Sequence, residues 1–370
     1  MKIKFLTVFL FLYFYTPNIK AQDSLYLIGS ITGESYDKRI TNVNRIGDVN
    51  GDGYDDFMVS SRTGKTRNDQ GITQLYFGSA SLDLIPDVIF HYPGTDALND
   101  LGNAAEIGDV NGDGYDDFTI SGRFGDGGVD KGKVFLYYGS ASINTIPVAE
   151  FYEPWIHDGF GSVVAKVGDL NKDGYDDFTI SSTYNWTNGL GYVYLFWGGD
   201  TISFDRSLTF TSDSLGDFFG ESVANIGDIN NDGLEDIAFG APNILSRNNP
   251  GKVYICYGGN PMDSEVDTIL TANNIGQDFG KSIKNIGNLN GDGIIDFCVE
   301  GYEYIFIYKD LLNQPLVING YSLDTGGDIN GDGFDDLVIG YDRKINVYFG
   351  SENFDINPDI ILDDSLRFST

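Results

Sequence analysis

The chain has 370 residues, with 55 acidic against 23 basic side chains and a formal net charge of −32. Such a field repels nucleic acid and anionic membrane surfaces and draws in cations, so neither nucleic-acid binding nor membrane insertion is expected. Its 26 Phe and 23 Tyr exclude an acidic disordered chain, and two cysteines exclude both a disulfide-stapled scaffold and a zinc cluster.

In chain order, the first segment is a leader. Lys2 and Lys4 precede a largely apolar run from Phe5 to Tyr15, and small residues follow at Ala21-Gln22. This layout predicts a secretory signal peptide over residues 1–22, because the apolar run is too short to span a bilayer. Residues 23–370 are then expected to form a single domain, secreted or held at the cell surface. The run Ser24 to Ser30 reads as one extra strand before the first complete unit, fastening the first unit to the last.

From there the chain repeats itself. The nonapeptide Asp48-Val-Asn-Gly-Asp-Gly-Tyr-Asp-Asp56 recurs at 109–117, 169–177, 228–236, 288–296 and 328–336, with starts 61, 60, 59, 60 and 40 residues apart. Each copy follows a run ending in Gly, such as Ser162 to Gly168, and precedes an apolar run such as Phe178 to Ser182. A variable polar loop, an aromatic-rich run (Gly191 to Gly199) and a weaker fourth run (Ser207 to Thr211) complete the unit. Short β-branched and aromatic stretches between Gly, Asn and Asp are strand signals, and no helical apolar period appears. Four strands per unit, repeated six times, predict an all-β protein: a β-propeller of four-stranded antiparallel blades. The fifth unit is short, with its second and third strands joined by a tight hairpin over Glu300 to Glu303. The last unit closes with a fourth strand at Asp359 to Leu362. Cys256 and Cys298 lie inside apolar strand runs and are expected to be buried thiols, with a disulfide between neighbouring units as the alternative.

The nonapeptide carries chemistry. Calcium takes six to eight hard oxygen ligands from a loop that curls round it. In the first copy Asp48, Asn50, Asp52 and Asp56 occupy positions 1, 3, 5 and 9, Tyr54 offers its carbonyl at position 7, and Gly53 permits the turn. The corresponding sets are Asp109, Asn111, Asp113, Tyr115 and Asp117; Asp169, Asn171, Asp173, Tyr175 and Asp177; and Asp228, Asn230, Asp232, Leu234 and Asp236. The last two are Asn288, Asn290, Asp292, Ile294 and Asp296, and Asp328, Asn330, Asp332, Phe334 and Asp336. Up to six Ca2+ ions are expected, the weakest at the fifth loop, where Asn288 replaces a carboxylate. An EF-hand needs Glu at position 12 and flanking helices, but position 12 is Val59, Ile120, Ile180, Phe239, Val299 or Ile339.

Phe219-Gly220 before the fourth loop and Gly240-Ala241-Pro242 after it resemble the landmarks of the FG-GAP repeats of integrin α-subunits. Phe160-Gly161 and Phe279-Gly280 supply the first landmark in two other units, and Leu101-Gly102 approximates it. The first and last units lack it. The resemblance covers nearly all of residues 24–362 and implies a propeller with calcium between the first two strands of a blade. Because the integrin propeller has seven blades, it keeps seven as the alternative to six.

No catalytic constellation is visible. His91 and His157 are isolated, and there is no nucleophile elbow, phosphate loop or zinc pattern. The expected role is an adhesion or ligand-binding module for an extracellular protein or glycan. The alternatives are a polysaccharide-active enzyme or a purely structural repeat of a larger cell-surface assembly. In an antiparallel blade the loops after the first and third strands share one face, and those after the second and fourth share the other. The variable loops, Arg62 to Gly71, Gly122 to Gly132, Thr183 to Gly189 and Pro242 to Gly251, therefore oppose the metal face. Trp155 and His157, with Tyr184 and Trp186, form a candidate ligand patch on that variable face.

Overall fold

The computed structural model describes residues 38–63, 71–91, 98–126, 129–152, 159–183, 190–200, 202, 208–212, 214–243, 250–272, 278–311 and 313–363. Each repeat folds into one four-stranded antiparallel sheet whose strands follow chain order from inside to outside. Blade 1 is β1 (Lys38–Gly47), β2 (Asp56–Thr63), β3 (Ile72–Tyr76) and β4 (Val88–His91); blade 2 is β5 (Leu98–Gly108), β6 (Asp117–Asp126), β7 (Val129–Tyr137) and β8 (Ala149–Tyr152). Blade 3 is β9 (Phe160–Gly168), β10 (Asp177–Ser182), β11 (Tyr192–Phe196) and β12 (Leu208–Thr211); blade 4 is β13 (Ser222–Gly227), β14 (Asp236–Ala241), β15 (Lys252–Cys256) and β16 (Thr268–Thr271). Blade 5 is β17 (Ser282–Asn285), β18 (Phe297–Glu300), β19 (Tyr304–Tyr308) and β20 (Leu316–Asn319); blade 6 is β21 (Ser322–Gly327), β22 (Asp336–Tyr341), β23 (Lys344–Tyr348) and β24 (Ile360–Asp363). Six sheets, not seven, stand among the described residues, and no helix does. The fold is a six-bladed β-propeller.

The innermost strands of all six blades line a central cavity of about 1180 Å³, with Arg45, Glu106, Lys166, Asn225, Lys284 and Asp324 projecting into it. Both signs of charge line it, with the neutral Asn225 between Lys166 and Lys284. Arg45 bonds Glu106 at 2.8 Å, and Lys166 bonds Asp176 at 3.0 Å.

Successive blades bury each other's faces. Phe118, Ile120, Phe135 and Tyr137 of blade 2 pack on Ile46, Met58, Leu75 and Phe90 of blade 1. Equivalent clusters join blades 2 and 3, 3 and 4, 4 and 5, and 5 and 6. Each buried Phe contributes about 2–3 kcal/mol of transfer free energy. Because a middle blade is covered on both sides, all six residues of β10 and of β14 are buried. Cys256 and Cys298 sit in two of these clusters as free thiols, and burial pushes both up to about 12.

The seam from blade 6 to blade 1 differs. The far face of blade 1, built on Phe57, Val59 and Tyr76, clusters with Ile40, Val43, Leu82 and Leu84 of its own blade. On blade 6, Ile345 is 41% exposed, whereas Val134, Val193 and Val253 at the same place in other blades are fully buried. The strand expected at 24–30, which would bear on this seam, lies outside the described residues.

One sequence expectation is corrected. Residues 122–126 and 129–132 are strand rather than variable loop: they belong to β6 and β7, with Arg123 opposite Gly132 and Asp126 opposite Val129. Chain length alone did not reveal that cross-strand pairing would continue. The tight hairpin of blade 5 and the closing strand β24 occur where expected.

The Phe-Gly and Gly-Ala-Pro landmarks are a seam device. Phe279 is fully buried, and Gly280 takes φ 92° against the preceding blade. A Cβ at Gly280 would lie 2.5 Å from Lys252 O, and one at Gly240 would collide with Gly280 O. The blades meet backbone to backbone there. Gly280→Ala should therefore lose about 3 kcal/mol or more. Gly216→Ala, at φ 75° with no neighbour within 4 Å, should lose only about 1 kcal/mol. Equal losses in denaturant melts would overturn the seam role.

Candidate metal centres

Each nonapeptide forms the connection between the first and second strands of its blade. In the first, Asp48 Oδ1 accepts the N–H groups of Gly51 (2.8 Å) and Asp52 (3.0 Å), and Oδ2 accepts that of Gly53 (2.7 Å). Asn50 Oδ1 accepts Asp52 N–H at 2.8 Å, and Asp52 Oδ1 accepts Tyr54 N–H at 3.0 Å. Asp and Asn side chains that bond their own backbone two to five residues on wind the chain into this curl. The first-position bonds to the amides of positions 5 and 6 recur at Asp109, Asp169, Asp228 and Asp328, as do the third-position bonds at Asn111, Asn171, Asn230 and Asn330; the bond to the position-4 amide recurs at Asp109 and Asp328.

The ninth position does something else. Asp56 is buried at the start of β2; Oδ2 accepts Val49 N–H at 3.0 Å and Oδ1 accepts Gly78 N–H at 2.7 Å. It ties its own loop to the connection that follows β3, which puts both on one face of the blade. Asp117, Asp177, Asp236 and Asp336 do the same with Gly139, Gly198, Gly258 and Gly350. Burial pushes these carboxyls up, against the pull of the backbone amides and with a further push from positions 5 and 1. Asp56 and Asp177 reach about 7, Asp117 about 8 and Asp236 about 6. A cation would relieve the strain that drives those shifts.

The fifth loop is the odd one. Asn288 has a single side-chain oxygen, which accepts Gly291 N–H at 2.8 Å. Asp296 accepts Leu289 N–H through Oδ2, but its Oδ1 is buried without a partner. That orphan oxygen, together with the all-oxygen donor set, fits a hard cation. Among the described residues, however, no three Asp, Glu, His or Cys side chains gather into a ready-made cage. Each loop instead divides its donors between carboxylates, an amide and a carbonyl. The apolar residue at position 12 lies in a strand in every repeat, so no loop is an EF-hand.

The sequence reading missed position 8. Asp116 of the second loop accepts the N–H of Asp48 in the first at 2.8 Å and returns its own N–H to Asp48 O at 3.3 Å. Asp176 does this to Asp109, and Asp335 to Asn288. Neighbouring candidate centres are thus bonded to each other across three seams. Glu235 instead takes Asn225 Nδ2, and Ile295 packs on Gly227 without polar contact. In blade 1, Asp55 is held bidentately by Arg45, and a Cβ added at Gly327 or Gly331 of blade 6 would meet nothing within 4 Å. Acids at position 8 in five of six copies were the available signal.

The candidate ligand patch of Trp155, His157, Tyr184 and Trp186 lies outside the described residues. His91 ends β4, exposed.

The FG-GAP repeat family matches residues 219–256 and 319–350. This chain carries FG-GAP repeats and is integrin-α-like. It is 30% identical over 218 residues to integrin alpha-5 of Xenopus laevis, covering 49% of this chain and 20% of that protein. It is 32% identical over 177 residues to human integrin alpha-7, covering 46% and 14%. It is 28% identical over 273 residues to integrin alpha-8 of Mus musculus, covering 64% and 25%. The FG-GAP chain spans a quarter or less of each of these subunits. A crystal structure of Sqt1 from Chaetomium thermophilum superposes with a TM-score of 0.49 at 13% identity, over 85% of this chain and 69% of that one. The FG-GAP and integrin similarities indicate no enzyme family.

The loops should differ in weight. Asp169 holds the amides of Asp173 and Gly174, so Asp169→Ala should cost about 2 kcal/mol, and Asn288→Ala about half that. Thermal melts of the two purified variants in one buffer test the order, and equal melting points would refute it.

Proposed function

We propose that this protein is a calcium-loaded, secreted or cell-surface β-propeller acting as an adhesion or ligand-binding module. The observation that carries the reading is one hydrogen-bonded oxygen loop rebuilt six times on a single face. Its supports are the similarity to integrin α-subunits and the leader over residues 1–22, whose removal would leave 23–370 as one domain. When bound, calcium supplies positive charge among the 17 carboxylates at positions 1, 5 and 9 of the loops, which otherwise repel. Positions 1, 3, 5 and 9 would hold it through side chains, and Tyr54 and its equivalents through the carbonyl.

The opposite face would carry the ligand. Connections of eight to ten residues follow the second strands of blades 1, 3 and 4, whereas the metal face keeps a constant pattern. Rigid scaffold on one face and variation on the other is the usual division between support and site. Trp155, His157, Tyr184 and Trp186 are the proposed patch for an extracellular protein or glycan.

Millimolar calcium should raise the melting temperature of residues 23–370 well above its value in EDTA, with magnesium much less effective. Identical melts in both buffers would sink the calcium reading. For the patch, Trp155→Ala with Trp186→Ala should abolish binding on a glycan and matrix-protein array without altering the calcium-dependent melt. Retained binding would move the site elsewhere.

A further inference from the structure

Four of the six nonapeptides carry Asn-Gly at positions 3 and 4: Asn50-Gly51, Asn111-Gly112, Asn290-Gly291 and Asn330-Gly331. An asparagine followed by glycine is chemically labile. With no Cβ to shield it, the glycine nitrogen can reach the asparagine side-chain carbon and close a five-membered ring. A bond forms between Gly N and Asn Cγ, and the amide nitrogen leaves as ammonia, carrying the glycine N–H proton. Water then reopens the ring to aspartate or isoaspartate.

The four pairs share one local sequence, an apolar residue followed by Asn-Gly-Asp-Gly, so differences in their rates must come from the fold. Restraints inside the loop are shared too. Each glycine N–H donates to the first-position side chain, at 2.8 Å for Gly51 and Gly291 and 2.7 Å for Gly112 and Gly331. Each asparagine amide is bonded twice to the aspartate at position 5, as Asn330 is to Asp332 at 2.8 and 2.9 Å.

The neighbouring blade separates them. A Cβ on Gly51 would lie 2.6 Å from the Tyr115 ring, one on Gly112 2.7 Å from Tyr175, and one on Gly291 2.5 Å from Phe334. These position-7 rings sit on the glycine of the preceding loop and hold its peptide in place. Ser140, Gly199 and Ser351 add N–H bonds of 2.8–2.9 Å to the position-2 carbonyls of the same loops, those of Val49, Val110 and Leu289. At the seam from blade 6 to blade 1 both features are missing among the described residues. A Cβ on Gly331 would meet nothing within 4 Å, Ile329 O accepts no such bond, and Tyr54, the equivalent ring, is 43% exposed. Asn330 is accordingly exposed, whereas Asn50, Asn111 and Asn290 are half-buried. Asn319-Gly320, at the end of β20, is held another way: Gly320 is buried and its N–H donates to Glu303 O at 3.0 Å. Asn188-Gly189 lies outside the described residues.

We propose that Asn330-Gly331 is a spontaneous modification site, converted to aspartate and isoaspartate well before the equivalent pairs of the first, second and fifth loops. This stands apart from the ligand-binding reading above. Aspartate at 330 gives the sixth loop a fourth carboxylate beside Asp328, Asp332 and Asp336. Isoaspartate routes the backbone through the side chain, adds a methylene, and breaks the curl in which Asn330 Oδ1 accepts Asp332 N–H. The change falls on the face that otherwise repeats from blade to blade, at the Asn-Gly loop that no neighbouring ring covers.

The test is peptide mapping by tandem mass spectrometry on the purified chain, held in calcium buffer at mildly alkaline pH and sampled over time. Aspartate and isoaspartate are resolved at each asparagine, and the chain unfolded in urea gives the reference rates. In the folded protein Asn330 should react about fivefold or more faster than Asn50, Asn111 or Asn290, and in urea the four should react alike. Tyr115→Ala should uncover Gly51 and bring Asn50 up towards the rate of Asn330, with Asn290 unchanged. Phe334→Ala, which uncovers Gly291, gives a second variant should the first melt early. Equal rates at the four pairs in the folded chain, or no reaction at Asn330 while the unfolded chain reacts, would overturn the site. A lead by Asn290 would make the missing first-position carboxylate the deciding restraint and overturn it as well. An unchanged Asn50 in folded Tyr115→Ala would overturn the covering ring as the cause.

Discussion

A four-stranded blade has two apolar faces, and by itself it can bury neither. Everything else in this molecule follows from that constraint. Phe118 and Tyr137 of blade 2 find their cover on Phe90 of blade 1, and Phe178 and Phe196 of blade 3 find theirs on Phe151 of blade 2. Large rings face the preceding blade, and smaller residues such as Val134 and Leu136 face the next. The seams are tight enough that side chains must be absent where backbones meet, which is why Gly240 and Gly280 lie opposite each other.

The same constraint shapes the metal face. A buried carboxylate at the ninth position is costly unless satisfied, and Asp56, Asp117 and Asp177 each meet that cost with two backbone amides. In doing so they lock a loop to the far end of the blade. The eighth position then joins that loop to the next one, so a disturbance at one centre is felt across the seam. The link is absent where Ile295 replaces the acid, so the junction of blades 4 and 5 relies on apolar contact, the Phe-Gly packing and the bond that Ser222 Oγ donates to Gly280 O at 2.8 Å. This is also the blade whose own loop has Asn288.

The two faces therefore have different physical jobs. On one, hydrogen bonds repeat almost unchanged from blade to blade. On the other, connections range from two residues in blade 6 to ten in blade 4.

The sequence by itself determined the repeat unit, most strand positions and the six oxygen-rich loops, and it favoured six blades while leaving seven open. These are local properties, set by a period of about sixty residues and by what Asp, Asn and Gly do within nine. Even the oddity of the fifth loop was legible, because Asn288 has one acceptor oxygen where its counterparts have two. Tertiary structure decided what depends on pairing between strands and packing between blades. Position 8 reads as one more loop acid until blade packing sets Asp116 beside Asp48. Residues 122–132 read as a loop because pairing of Arg123 with Gly132 has no signature in chain composition. Asn330-Gly331 reads like Asn50-Gly51 in sequence, and only the packing of blades lays a ring over one glycine and not the other. Local chemistry is written in spacing, but the angle at which two sheets meet is set by all the side chains between them.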